Sequence, residues 1–558
     1  MTRLFHVALL FVLWPLVGLG AELKPGAAAI ATAHPLATQA GREVLRQGGN
    51  AFDAAVAVAA ALGVVEPAGS GLGGGGFWLL HRADDGFEIM IDARERAPLG
   101  ASRDMYLNRN GEPIPRLSLD GPLAAAIPGT PAALAHIAER YGRLALAKSL
   151  APATRLARMG FPVTPRYRRL ARLRRSALQA SPAAAQVFLE DGEVPQEGDL
   201  VRQPALAAVL ARIAQQRRRG FYAGSVAQQL VSGVRDAGGI WTLDDLAAYQ
   251  VTERTPVRGR YGDLHITSAS LPSSGGIVLL QMLNVLQRTA LARTSGAAQA
   301  HVVIEAMRRA YRDRARYLGD PDFVAVDVAR LLAPDYADQL RATIDPERAT
   351  PSEPLPGGAP REHGSQTSHF SVIDRDGNRA AATLTINYAF GSGFMAPGTG
   401  VLLNNEMDDF VVKPGVPNAY GLVGTEANAI APGKRPLSSM TPTFLENDKA
   451  VVILGTPGGS RIISMVLLAT LEFAHGRGDP TDWVALPRFH HQYLPDVVVY
   501  EPGAFSQAEI DALHARGHEL RRRARPYGNM QVVAWYKRSN RLEAAADPRG
   551  EGEAWVGQ

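Results

Sequence analysis

Thr367, Ser368 and His369 stand in a run of alternating and β-branched residues, Gln366 to Asp374, that the turn Arg375-Asp376-Gly377-Asn378 separates from a second run, Arg379 to Asn387. Two such runs about an Asp-Gly centre predict a β-hairpin. With Asp376 and Gly377 as a two-residue turn, Thr367 falls opposite Ile386, and Thr385 and Asn387 flank that point on the neighbouring strand. A hydroxyl at a strand start, beside a second hydroxyl and a carboxamide, is a setting for a nucleophile. Strict pairing puts Thr385 on the opposite face from Thr367, so a bulge or an irregular strand start is needed to join them. Threonine is also common in ordinary strands, so an edge hairpin without chemistry fits the same residues.

A second stretch with chemical content is Thr456-Pro457-Gly458-Gly459-Ser460-Arg461. It follows a hairpin predicted over Thr443–Glu446 and Lys449–Gly455, and leads into an apolar helix ending near Ala474 with Ser460 as its cap. Free backbone N–H groups at such a helix start, unobstructed by side chains, suit a tetrahedral oxyanion; each donor can contribute about 3 kcal/mol to a transition state. A phosphate loop is the rival, but the Gly-Lys-Ser/Thr ending is missing. Gly69 to Gly76 contains GxGxxG twice, yet a helix precedes it and a strand follows, the reverse of a dinucleotide site; close backbone packing is the better account. His490-His491 has no HExxH or Asp/His cluster to complete a metal site, so both rings are expected to form structural hydrogen bonds and no metal is expected.

Asn404-Asn405-Glu406-Met407-Asp408-Asp409-Phe410, Lys434-Arg435-Pro436-Leu437-Ser438-Ser439-Met440 and Gly455 to Arg461 follow the threonine motif in that order. Together these motifs resemble the γ-glutamyltranspeptidase (glutathione hydrolase) family of N-terminal-nucleophile hydrolases, over nearly the whole chain after the leader. The resemblance implies an α+β fold: a four-layer αββα sandwich with two stacked antiparallel sheets and a helical large-subunit region. It implies self-cleavage between Gln366 and Thr367, giving a heavy chain, 21–366, and a light, catalytic chain, 367–558, held as a heterodimer. Thr367 Oγ would be the nucleophile and its new α-amine the base; that amine has a reference pKa of about 7.7–8, well below lysine's. Thr385 would orient the nucleophile, with the Gly458 and Gly459 N–H groups on the oxyanion. Arg94, Ser438 and Ser439 would take a substrate α-carboxylate; Asp409, Glu406 and Asn387 would take its α-ammonium. Tyr420, in the Pro/Gly loop Lys413 to Thr425, would belong to a lid. No cofactor is implied. The partners are small molecules: glutathione and other γ-glutamyl donors, with water, amino acids or dipeptides as acceptors. An acylase of the cephalosporin or glutaryl type, or an unprocessed binding homologue, are the alternatives; Asp409 favours glutamyl substrates. Ser368, Phe370 and Tyr388-Ala389 depart from the commoner family residues, and the last pair is expected near the pocket.

The elements that must position these residues are also legible. Thr38 to Gln47 and Ala51 to about Leu62 read as helices, the second capped by Asn50 and Ala-rich with few polar positions, so it is expected to be buried. Phe77–Arg82 and Phe87–Asp92 form a hairpin that delivers Arg94. Pro122 to about Ala300 reads as mainly helical, with a capped start at Thr242 and a Leu271 to Gly276 segment near the catalytic floor; His301 to Arg316 is another helix. Residues 345–366, rich in Pro, Gly, Glu and Ser, read as an exposed linker. Residues 1–20, with Arg3 before an apolar run containing Pro15, read as a cleaved signal peptide, which implies a periplasmic or secreted protein with no membrane anchor. The 558 residues include no cysteine, which excludes disulfides and thiol chemistry. A net charge of +5 from 59 basic and 54 acidic residues excludes a design for nucleic acid. The basic clusters Arg166 to Arg175 and Arg521 to Arg525 read as solvated helix faces.

Overall fold

Inward-facing alanines and β-branched residues on alternate strand positions let two antiparallel sheets stack directly. The computed structural model describes residues 23–289, 291, 294–353 and 367–557. The leader, and the Gln366–Thr367 bond with the stretch before it, lie outside the described residues. One sheet runs, in spatial order, through Glu553–Gly557, Ala28–Thr32, Ser368–Ile373, Arg379–Thr385, Gly75–Arg82, Phe87–Ala93 and Thr252–Arg254. The other runs through Arg541–Ala546, Gln531–Tyr536, Ala450–Gly455, Thr443–Glu446, Leu264–Ser268 and Val257–Tyr261. Ala29, Ala31, Leu79, Ile373 and Ala381 meet Phe444, Val451, Ile453, Val533 and Trp535 between the sheets. Helices cover both outer faces: Pro35–Arg46, Ala51–Val65 and Leu146–Met159 on the first, Gly275–Gln287, Gly296–Tyr317 and Ile462–Ala474 on the second. This is the expected αββα sandwich. Every residue of Ala51–Val65 is buried, and Asn50 and Asp53 close a reciprocal cap at its start, so a helix apolar but for that capping carboxylate lies where it must, inside.

The hairpin register differs from the expectation by one residue, and the difference matters. The Asp374 N–H donates to the Asn378 carbonyl at 3.0 Å and the Gly377 N–H to the Asp374 carbonyl at 3.1 Å, with Gly377 at φ +93°. The loop is therefore three residues with a left-handed glycine, not a two-residue turn. Pairing proceeds from Arg379 with Ile373 to Leu384 with Ser368, so the next step sets Thr367 across from Thr385, not Ile386. The extra residue that the parity requires sits in the turn, where the left-handed Gly377 forms the bulge that closes a three-residue loop.

Three further expectations are revised. Residues 252–268, read as part of a helical region, hold three strands, and two of them form an edge hairpin of the second sheet. The Arg521–Arg525 cluster is not a helix face: Leu520–Arg522 is a strand parallel to Val498–Tyr500, followed by a turn. The stretch 345–353 is surface chain but not loose. The Glu305 carboxylate accepts from Thr350 Oγ1 at 2.6 Å and from Arg309 at 2.6 Å, and Asp496 accepts from the Ser352 N–H at 2.7 Å.

Both sheets mix strands from before residue 354 and after residue 366. Cutting the chain in that interval would leave two fragments sharing one hydrogen-bonded core. No helix among the described residues is long and apolar enough to cross a membrane.

Candidate active site

The start of the Ser368–Ile373 strand and the end of its partner place Thr367 and Thr385 on one small cavity of about 20 Å³, which Arg94, Asn387, Glu406, Asp409, Tyr420, Ser439 and Gly459 also line. Backbones crowd here because the glycine run permits it. A Cβ on Gly74 would lie 2.0 Å from the Thr385 carbonyl oxygen, and one on Gly73 2.0 Å from that of Leu402. The run is a packing device beside the hydroxyls, as its flanking elements imply.

Arg94 follows directly from the Phe87–Ala93 strand and is fully buried. Its Nε donates to the Pro436 carbonyl at 3.1 Å, Nη2 reaches Asp409 at 2.5 Å, and Nη1 binds Glu406 and stands 3.5 Å from Glu95. One guanidinium thus faces three carboxylates. Burial opposes its charge, but Glu406, Asp409 and Glu95 together raise its affinity for the proton. Burial also pushes Glu406 well above the usual carboxylate range against the pull of Arg94, with Glu95 and Asp409 adding to the rise. Glu95 is pushed up to about 7, again by burial first. Three carboxylates around a single cation cannot all ionise cheaply out of water.

The Glu95 shift has a measurable consequence. Between the ordinary glutamate value of 4.5 and about 7, the folded protein keeps a proton that the unfolded chain releases. Stability therefore falls as pH rises through that window, by on the order of 3 kcal/mol, and levels off above it. Glu95→Gln is expected to flatten this slope in urea melts at a series of pH values; an unchanged slope would show that Glu95 ionises normally.

Three hydroxyls around the cavity share one arrangement. Thr385 Oγ1 accepts from the Asn387 N–H at 2.7 Å, Ser438 Oγ from the Met440 N–H at 3.1 Å, and Ser439 Oγ from Arg314 Nη2 at 3.1 Å. Each oxygen is held as an acceptor, which leaves its own hydrogen to donate. Ser438 is buried just behind the cavity wall, where Ser274 donates to its carbonyl through both N–H, at 2.9 Å, and Oγ, at 2.6 Å. The Leu271–Gly276 segment is thus the floor behind these serines. Asn387 sits at φ +71° and its Nδ2 donates to the Asn405 carbonyl at 2.9 Å. That bond engages one donor of an amide expected to face a ligand.

The loop from Lys413 covers the cavity. Tyr420 donates its hydroxyl to the Asn387 carbonyl at 2.8 Å, and the Ala419 N–H donates to Asp408 at 2.9 Å. Asn418 Nδ2 reaches Asp409 at 3.3 Å. The cavity has room for about one water, and Tyr420 and Leu422 of this loop form part of its wall. Asp408, Arg314 and Glu95 were not singled out in the sequence. Asp408 sits within a quoted motif and Glu95 beside Arg94, but Arg314 is one arginine among several in an Arg-rich helix, and nothing local marks it.

Gly459 lines the cavity, whereas its neighbour Gly458 lines an adjoining groove. The glycines stand at φ +58° and +156°, and a short 3₁₀ turn, Gly459–Arg461, precedes the helix Ile462–Ala474. Ser460 does not cap that helix: its hydroxyl donates to Gln492 Oε1 at 2.7 Å. The first N–H groups of the helix head are taken up by the turn itself: that of Arg461 donates to the Gly458 carbonyl at 3.2 Å and that of Ile462 to the Gly459 carbonyl. His490 is hydrogen-bonded to Ser464 at 2.9 Å and Gln492 at 3.0 Å, and His491 to Asp496 at 3.0 Å, so both rings are held within the protein. Tyr388 is buried under Arg174, whose guanidinium lies 5.2 Å from the ring centre, and it does not line the cavity.

Comparison with known proteins agrees with this geometry. Residues 37–557 match the family model described as Gamma-glutamyltranspeptidase. A glutathione hydrolase proenzyme of Pseudomonas sp. (strain A14) is 43% identical over 495 residues, which is 88% of this chain and 86% of that protein. The Escherichia coli (strain K12) protein of the same name is 41% identical over 533 residues, 95% of this chain and 91% of that protein. Among solved structures, a cephalosporin acylase from Bacillus halodurans superposes with a TM-score of 0.84 at 28% identity over 96% of each chain. The γ-glutamyltranspeptidase of Helicobacter pylori gives 0.56 at 41% identity, covering 57% of this chain and 92% of that one. With the sandwich, the paired threonines and these matches in place, the chain belongs to the γ-glutamyltranspeptidase family of N-terminal-nucleophile hydrolases.

Proposed function

We propose that this enzyme matures by breaking its own chain between Gln366 and Thr367, and that the new terminus cleaves γ-glutamyl amides such as glutathione. The observation that carries the reading is the single cavity shared by Thr367, Thr385, Arg94, Asp409, Ser439 and Gly459. Thr367 Oγ attacks the γ-carbonyl carbon while its α-amine takes the hydroxyl proton. The Thr385 hydroxyl, its oxygen fixed by Asn387, donates to Thr367 and orients it. The N–H groups of Gly458 and Gly459 receive the developing oxyanion. As the C–N bond breaks, the α-ammonium returns its proton to the leaving amine and a γ-glutamyl ester remains. Water attacks the ester to release glutamate, or an amino acid or dipeptide amine attacks it to form a new amide. The heavy chain would end at Gln366 and the light chain begin at Thr367.

Recognition follows from charge. A substrate α-carboxylate meets Arg94 and the donatable hydroxyls of Ser438 and Ser439. The α-ammonium brings a second cation to Glu406 and Asp409, relieving the excess of carboxylates that Arg94 balances alone. A glutaryl or other N-acyl group offers no such cation. Within the processed two-chain enzyme the acceptor remains a small molecule. Residues 1–20 would export the protein to the periplasm or beyond.

The test has two parts. N-terminal sequencing of the smaller fragment is expected to begin at Thr367; any other start sinks the processing step. Turnover of γ-glutamyl-p-nitroanilide is expected to exceed that of glutaryl and adipyl amides by about a hundredfold or more, the scale of one or two lost charge-assisted contacts. A preference for the glutaryl amide would favour the acylase reading.

A further inference from the structure

The two basic clusters, far apart in the chain, meet on one groove. Arg166, Arg169 and Arg172 project from the helix Pro165–Gln179, and Arg523 and Arg525 from the turn after Leu520–Arg522. The groove has a volume of about 970 Å³, and Arg461, Gly458, Tyr527 and Asn529 complete its inner wall. No Asp or Glu lines it among the described residues. Crowding is evident at Arg169, whose affinity for the proton is lowered by burial and then by Arg166 and Arg525. The guanidinium of Arg461 lies 4.9 Å from the centre of the Tyr527 ring.

The groove is tied to the reacting centre at two points. Gly458 belongs to it, while the adjacent Gly459 faces Thr367. Arg166 stands 3.4 Å from Glu66, and Glu66 accepts from the hydroxyl of Ser368, the residue after Thr367, at 2.5 Å. The groups read as glutamyl-binding, around Arg94, line the cavity and not the groove. On the glutamyl reading, the groove would hold the part of a substrate beyond the scissile amide. An acceptor amine approaches the ester along the path the leaving amine took, so one groove serves both partners.

We propose that this groove binds peptides bearing several carboxylates, as the leaving part of a γ-glutamyl donor or as the acceptor. The proposal rests on the glutamyl reading of the cavity and adds the substrate class for the adjoining groove. Volume fits a short peptide, being at the upper end of the roughly 300–1,000 Å³ common for ligand pockets. Nucleic acid is disfavoured because the groove has no exposed aromatic face: Tyr527 is buried, as is Tyr167 on the helix.

Fluorescein-labelled tri-glutamate and tri-serine, followed by anisotropy with the purified wild-type protein at low and high salt, provide the direct test. Tri-glutamate is expected to bind more tightly than tri-serine, and the difference to shrink with salt. The combined variant Arg169→Ser, Arg172→Ser and Arg525→Ser removes three exposed charges and is expected to weaken tri-glutamate about tenfold or more, a change of about 1.4 kcal/mol. Hydrolysis of γ-glutamyl-p-nitroanilide should be unchanged in that variant, which also shows that it folds. Comparing γ-Glu-Glu with γ-Glu-Ala as donors, and acidic with neutral dipeptides as acceptors, separates the two uses of the groove. Equal binding of the two tripeptides, or full retention in the variant, overturns the proposal. So does tighter binding of a single-stranded oligonucleotide than of tri-glutamate. Tri-glutamate binding without any p-nitroanilide turnover would leave the groove standing and remove the glutamyl reading instead.

Discussion

Thr367→Ala is expected to accumulate as one uncut chain and to lose activity on γ-glutamyl-p-nitroanilide by about 10⁴-fold or more, the scale seen when a covalent nucleophile is removed. The expectation follows from two roles for one oxygen. Before maturation, the hydroxyl is the group that would attack the peptide bond preceding it; afterwards, it would carry the glutamyl group. Thr367→Ser keeps the oxygen and should still yield two chains on a denaturing gel, with reduced turnover. The packing change is small, because Thr367 stands at a strand end beside a cavity and its side chain makes no hydrogen bond to the sheet among the described residues. Two chains from the alanine variant would mean that another group performs the cleavage, and the mechanism would have to be abandoned.

Arg94→Ala is expected to damage both the fold and recognition. Its removal leaves Glu95, Glu406 and Asp409 clustered without their cation, and breaking a buried pair this way costs about 3–5 kcal/mol. The same change removes the fork that would receive a substrate α-carboxylate, worth a loss of roughly 10²-fold or more in kcat/KM. Arg94→Lys separates the effects. A lysine keeps a positive charge among the carboxylates, so urea melts should recover much of the stability. It lacks the planar fork that spans Glu406 and Asp409 while holding the Pro436 carbonyl, so kcat/KM should stay low. Near-normal kinetics in the lysine variant would show that the carboxylate is read elsewhere.

Much of this protein is written locally. The Asn50 and Thr242 caps, the Phe77–Asp92 hairpin and the Ala-rich helix after Asn50 are determined by short-range chemistry: side chains bonding to nearby N–H groups, a turn between alternating runs, and residues with no polar face to expose. The order of the threonine, Asn-Asn-Glu, Lys-Arg-Pro and Pro-Gly-Gly motifs likewise carries the family, because chemistry constrains residue types at those positions. Strands 252–268 were hidden because their pattern gains its meaning only when the Leu264–Ser268 strand pairs with Thr443–Glu446, some 180 residues away.

Tertiary structure alone decided three things. Whether Thr367 and Thr385 face each other depended on a single residue in a turn, and a left-handed Gly377 settled the parity that strand pattern left open. The imbalance around Arg94 exists only because four charges from two separate segments are buried together; along the chain, Arg94 beside Glu95 reads as an ordinary surface pair. The arginine groove arises the same way, from two runs that are each unremarkable until the fold brings them to one wall beside Gly458. Residue types determine which groups can do chemistry, but distance, burial and the company of other charges set what those groups will do, and these are properties of the packed chain.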